Sequence, residues 1–195
     1  MKKLLIASCV LLFVGSTTYA QKFQIGLKAG MNVSNYTGGN LDSKALLGFH
    51  AGGTFNFLLG KNFSIAPEVL FSTQGAKYDD LGTEKNIKVN YIQLPVMAKF
   101  RFDEGFYLEA GPQFGFKVGE DTDIPDQTIE NFANDLDLSF GAGLGYHSST
   151  GFGIGARYLA GISKVGDFNS NEINPDFRNS VIQVSLFYTL FNNKR

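Results

Sequence analysis

The sequence predicts an all-β chain folded as an eight-stranded antiparallel up-and-down transmembrane β-barrel. Three observations predict it. Apolar and polar residues alternate with a period of two in eight separate segments. The connections between these segments are short and long in strict alternation. Aromatic residues flank the short connections on the apolar face.

The first twenty residues stand apart from that pattern. Lys2 and Lys3 make a basic start, Leu4 to Val14 is apolar, and Thr18 and Ala20 place small residues where signal peptidase reads. Residues 1–20 are expected to be a cleaved signal peptide and 21–195 the barrel domain. The apolar stretch is too short to span a bilayer as a helix. Ile6-Ala7-Ser8-Cys9 resembles a lipoprotein box, but only Leu4 to Ser8 would precede Cys9, so lipidation is not expected. Cys9 is the only cysteine and would leave with the signal, taking disulfide and thiol chemistry with it. The remainder is slightly acidic, with no basic patch for nucleic acid.

From Phe23 to Val33 every odd position is apolar and every even one is polar or Gly. The pattern returns near 47–58, 63–74, 87–102, 106–118, 135–146, 152–162 and 180–191. Leu59 to Asn62, Asp103 to Gly105 and His147 to Gly151 are short turns; Tyr36 to Leu46, Gly75 to Asn86, Gly119 to Asn134 and Ser163 to Arg178 are longer and polar. Transmembrane barrels join strands in this way, with short turns on the periplasmic side. An even strand number then puts both termini in the periplasm. Phe57, Phe63, Phe102, Phe106, Tyr146, Phe152 and Tyr188 would form an aromatic girdle at that side, and Phe49, Phe71, Phe116 and Tyr158 could mark the other rim. A soluble barrel or sandwich with an internal apolar core is the alternative, and it leaves the Gly-rich opposite face unexplained.

That opposite face carries Gly111, Gly115, Gly141, Gly143, Gly145, Gly153, Gly155 and Gly161 in the phase of the polar residues. Glycines there would make room for long charged side chains in a narrow lumen. The same phase turns Glu68, Lys99, Arg101, Glu109, Asp137 and Arg157 inward as a lumen charge cluster, with Lys117, Gln93, Gln113 and His50. A symmetric turn at Asp103 to Gly105 would set Lys99 opposite Glu109 as a direct ion pair. Arg157 could reach Glu68 or Glu109. Buried charges must be paired, so a plugged lumen is expected rather than a pore.

The apolar phase switches at Tyr91-Ile92, which suggests a β-bulge in the fourth strand. Pro67, Pro95 and Pro112 lie within strands, where bulges or missing ladder bonds are expected.

Catalysis would need a Ser or Thr beside a His oriented by a third group. His147 sits at a short turn, and His50 points inward with Ser34 as a possible partner. No catalytic residue, cofactor or metal is assigned: two histidines so placed cannot close a zinc site. Asp79-Asp80, Glu120 to Asp123 and Asp126 could hold Ca²⁺ weakly, but read better as solvated loop charge.

Phe63 to Gly75, with Pro67-Glu68-Val69-Leu70-Phe71 at its centre, resembles the "PElxYxxxG" strand of Bacteroidota outer-membrane β-barrel proteins that include the PorT-like group. Tyr91 to Phe100 resembles their "YLxIPlllKy" strand, and Leu108 to Pro112, Gly141 to Gly143 and Ala156 to Tyr158 are similar to later strands. The resemblance covers residues 21–195 in order and implies fold and location. It also implies prolines at those strand positions. PorT is tied to secretion and gliding machinery, but no secretion-specific feature is present here.

The expectation is a non-enzymatic outer-membrane barrel with a charge-plugged lumen and surface loops for recognition. Its partners would be outer-membrane lipid and envelope or secretion proteins. The alternatives are an accessory or assembly subunit of a secretion complex, a small solute channel, and a lipid-modifying enzyme.

Overall fold

Each alternating segment forms a strand in the computed structural model. The structure describes residues 22–38, 43–80, 83–102, 105–122, 133–166 and 176–193. The expected signal peptide and Cys9 lie outside these residues, as do Asp103, Asp123 and Asp126. The strands are β1 (Lys22–Thr37), β2 (Ser43–Leu58), β3 (Phe63–Asp80), β4 (Thr83–Arg101), β5 (Phe106–Thr122), β6 (Leu136–His147), β7 (Phe152–Gly161) and β8 (Arg178–Asn192). Neighbours pair antiparallel in chain order, and β8 returns to β1 to close the barrel. The shortest strand has 10 residues and the longest 19, while a tilted strand needs about 9–11 to cross a bilayer.

The closure has a stagger. A row of paired residues leaves β1 at Lys22 and passes through Leu58, Ser64, Lys99, Glu109, Gly143, Arg157 and Gln183. It re-enters β1 at Asn32, ten residues further along. This stagger is the shear that tilts the strands by roughly 35–45° and fixes the lumen's width.

The sheet is inside out relative to a soluble protein. Leu27 is 57% exposed and its neighbour Lys28 only 7%. Along β1, Gln24, Lys28, Asn32 and Ser34 are buried, while Met31 and Val33 face outward. The apolar face is therefore not a core, and the soluble alternative fails.

Each proline interrupts one ladder, because it has no N–H to donate. Between β2 and β3, pairing lapses at Phe55 and Asn56 opposite Pro67 and Ala66. Between β3 and β4 it lapses at Glu68 and Val69 opposite Pro95 and Leu94. Between β4 and β5 it lapses at Val96 and Met97 opposite Pro112 and Gly111.

Three expectations need correction. The connection from Gly75 to Asn86 is not a loop: β3 and β4 continue as a paired ribbon as far as Asp80 opposite Thr83. The register does shift beside Tyr91, but the extra residue is Val118 on β5. β4 itself never changes phase, since Ile87, Val89, Tyr91, Gln93 and Met97 are all buried. What changes along β4 is the chemistry of the lumen. Near the ends of the longer strands away from the short turns, Tyr36, Ala76, Ile87, Val89, Tyr91, Ala133, Val165 and Phe177 form an apolar cluster. Ala133, Val165 and Phe177 come from segments expected to be polar loops. Backbone bonds from Asn134 N to Val165 O (2.7 Å) and from Val165 N to Phe177 O (2.9 Å) hold them there as a cap. The short turns at the opposite end use Gly105 and Gly151 at φ 95° and 94°, a region costly for residues with a Cβ.

Candidate functional site

The lumen between the short turns and the cap holds the clustered polar side chains. Inward positions of five strands meet around Glu68. Its carboxylate accepts from Lys28 Nζ at 3.1 and 3.2 Å. It also takes the Arg157 fork through Nη1 at 3.1 Å and Nη2 at 3.0 Å. Arg157 Nε donates to Glu109 Oε1 at 2.8 Å. Lys99 lies opposite Glu109 in register, with its Nζ 3.2 Å from Oε2. The same Nζ is 3.9 Å from Glu68 and 5.0 Å from the Tyr107 ring centroid. The result is one network, Lys28–Glu68–Arg157–Glu109–Lys99, with Arg157 spanning both carboxylates. Paired in this way, charges at low dielectric avoid the penalty an isolated one would incur.

Two residues expected in this cluster stand outside it. Arg101 lies nearer the short turns, where Nη2 donates to His147 Nδ1 at 2.9 Å. Asp137 lies towards the cap, and its carboxylate accepts from Ser139 Oγ (2.8 Å) and Asn179 Nδ2 (2.9 Å). Lys117 is also near the cap, bonded to Ala133 O and 3.4 Å from Glu120. Conversely, Lys28 belongs to the network, and the polar phase of β1 is the sequence signal that marks it.

The glycines face the largest inward side chains. A Cβ on Gly145 would lie 2.5 Å from the Tyr107 hydroxyl, and one on Gly155 2.7 Å. A Cβ on Gly141 would meet Leu159, Met97 and Arg157. These small residues leave the volume that Arg157 and Tyr107 fill.

Midway along the lumen, His50 Nδ1 lies 2.7 Å from Asn32 Oδ1, and Nε2 lies 2.8 Å from Ser185 Oγ. Asn32 Oδ1 can only accept, so Nδ1 carries the hydrogen and Nε2 accepts from the Ser185 hydroxyl. Asn32 Nδ2 is shared among Phe49 O, Ser72 Oγ and Thr73 O. Ser34 is not the partner: its hydroxyl donates to Leu46 O and accepts from Gly75 N. Sequence spacing could not reveal Ser185, which is 135 residues from His50 and reaches it only through barrel closure.

Gln93, Gln113 and Gln183 are fully buried, and neither amide atom of any of them has a hydrogen-bond partner among the described residues. Gln113→Leu removes no protein hydrogen bond and keeps the volume similar. It is expected to shift stability by less than about 1 kcal/mol, read as an unchanged urea midpoint of the folded gel band.

At the rim, Lys44 lies 3.8 Å from Asp79 and 3.4 Å from Glu84. Among the described residues, no group of three or more His, Cys, Asp or Glu is placed to hold a metal ion.

The family model for the outer membrane protein beta-barrel domain matches residues 19–167, most of the chain. The chain belongs to this family. It is therefore an outer membrane β-barrel protein, and its exposed apolar face meets lipid. No curated protein matches the sequence. Among solved structures, the chain is similar to Neisserial surface protein A at 14% identity and TM-score 0.54, covering 85% of this chain and 97% of that one. It is also similar to Ail of Yersinia pestis, solved with the heparin analogue sucrose octasulfate, at 14% identity and TM-score 0.50, covering 87% and 99%. OprG of Pseudomonas aeruginosa matches at 14% identity and TM-score 0.50, covering 87% and 97%. At these identities the likeness is one of fold.

On this outer membrane barrel, Phe57, Phe63, Phe102, Phe106, Tyr146, Phe152 and Tyr188 are all exposed. They flank the short turns, and four of them pack in pairs: Phe106 against Tyr146 at 5.0 Å and Phe152 against Tyr188 at 4.5 Å between centroids. Towards the other end, Phe49 and Phe71 lie 5.7 Å apart, with Phe116 and Tyr158 also exposed.

Proposed function

We propose that this outer membrane barrel is a non-enzymatic scaffold. Its lumen is closed, and its long connections present whatever surface it uses for recognition. Residues 1–20 serve as its export signal. The short turns and both termini lie in the periplasm, with the paired aromatic rings as the girdle at that interface. The observation that carries the reading is the ion-pair network across the lumen. An eight-stranded barrel is just wide enough for side chains to fill, and a bridge from β1 through β3 and β7 to β5 leaves no continuous water path. The apolar cap supports the same reading from the other end. The PorT-like resemblance of Phe63 to Gly75 and Tyr91 to Phe100 suits such a barrel. No residue in it points to a secretion subunit.

The lipid-modifying alternative has one supporting geometry. Asn32, His50 and Ser185 stand in the order of an acyl-transfer triad. But His50 is 1% and Ser185 3% exposed, on the lumen side of the wall, where no acyl chain reaches. The three are better read as a lock joining β1, β2 and β8. The channel alternative is tested by planar-bilayer recording. The purified barrel is expected to show no stable unitary conductance, and large, stable openings would overturn the scaffold reading.

A further inference from the structure

The lumen network is unbalanced. Among the described residues, Lys28, Lys99 and Arg157 face only Glu68 and Glu109. A fourth cation, Arg101, follows Lys99 at the next inward position of β4 and meets no carboxylate among the described residues. Its Nη2 donates to His147 Nδ1, so that nitrogen keeps its lone pair and His147 is neutral. His147 Nε2 then donates to Thr189 Oγ1 at 3.0 Å.

The excess charge surrounds a small, partly open space. A cavity of about 30 Å³ is lined by Lys28, Lys99, Arg101, Thr54 and Ser64, with Glu68 as its only carboxylate. It has the size of one water or one monoatomic ion. Outside it, a vestibule of about 650 Å³ opens among the short turns and shares Arg101, His147 and Thr189 with the cavity. The vestibule adds Lys61 and the hydroxyls of Ser148, Ser149 and Thr150.

Uncompensated charge in a low-dielectric lumen is costly unless a counter-charge joins it. We propose that the cavity binds one small inorganic anion of the halide class, admitted through the short-turn vestibule. Lys28, Lys99 and Arg101 supply the field, while Thr54 and Ser64 are placed to donate hydroxyl hydrogens. The cavity's small accessible volume favours a monoatomic ion over a bulky anion such as gluconate.

The test uses the purified full barrel in detergent. The thermal transition of its folded gel band is followed while sodium bromide replaces sodium gluconate at constant ionic strength. A saturable rise with bromide is expected, since the cavity disfavours gluconate. In Arg101→Gln, which leaves the ion-pair network intact, half-saturation should need at least about tenfold more bromide, the equivalent of one lost charge-assisted hydrogen bond. If Arg101→Gln does not fold, Ser64→Ala is read in the same way. Equal transitions in bromide and gluconate would overturn the site, since the excess charge is then relieved by a neutral lysine. A bromide effect of unchanged half-saturation in the variants would also overturn it, as a general salt effect. Bromide anomalous scattering between Lys28, Lys99 and Arg101 would place the ion directly.

Discussion

Glu68→Gln is expected to cost about 3–5 kcal/mol of barrel stability, the range for removing one partner of a buried ion pair. The substitution keeps the shape and deletes the charge at the centre of the network. Arg157 would retain Glu109, but Glu68 is the carboxylate that Lys28 pairs with, so an ammonium is left unpaired in the lumen. The loss should appear as a large drop in the urea midpoint of the folded gel band. Lys28→Met in the same chain should recover a substantial part of it, because the stranded charge is then gone. Additive losses in the double variant would mean that the two side chains do not act as a pair.

Phe177→Ala should act locally rather than globally. Phe177 is fully buried against Tyr36, with ring centroids 4.8 Å apart, and its carbonyl accepts the Val165 N–H. Truncating a buried Phe removes about 3–5 kcal/mol of packing. Here that packing holds the cap, while the strand ladders beneath are closed independently. Opening of the cap should make the connections after β5 and β7 sensitive to protease in intact outer membranes, with the barrel's folded gel migration retained. Loss of the folded band together with the cap would show that the cap and barrel form one cooperative unit.

How much of this was legible in sequence follows from what alternation encodes. A period of two states which face a residue occupies, and in an up-and-down barrel chain order also states its neighbours. The strands, the inward phase of Glu68, Lys99, Glu109 and Arg157, and the three proline interruptions were legible for that reason. Alternation does not state depth. Arg101 and Asp137 share the inward phase, yet Arg101 ends β4 beside a short turn and Asp137 opens β6 beside the cap. The apolar run Ile87, Val89 and Tyr91 mimics a change of face in sequence, since a polar lumen leaves no place for it. In fact those residues stay on the inner face and build the apolar cluster. Val165 and Phe177 were invisible for a related reason: each is a single apolar residue in a polar connection, with no period to mark it. Ser185 reaches His50 only because the last strand meets the first.

The placement of the five networked charges bears on how the barrel is assembled. Lys28, Glu68, Lys99, Glu109 and Arg157 belong to β1, β3, β4, β5 and β7, so most of their contacts cross the lumen rather than follow a ladder. Lys99 and Glu109 can meet within an open sheet, since their strands are adjacent. Glu68 and Arg157 cannot, because three strands stand between theirs. An unclosed sheet entering the bilayer would expose bare charges to hydrocarbon, where each is costly. The charges therefore penalise half-inserted forms and favour a concerted step, in which seam closure and charge burial happen together.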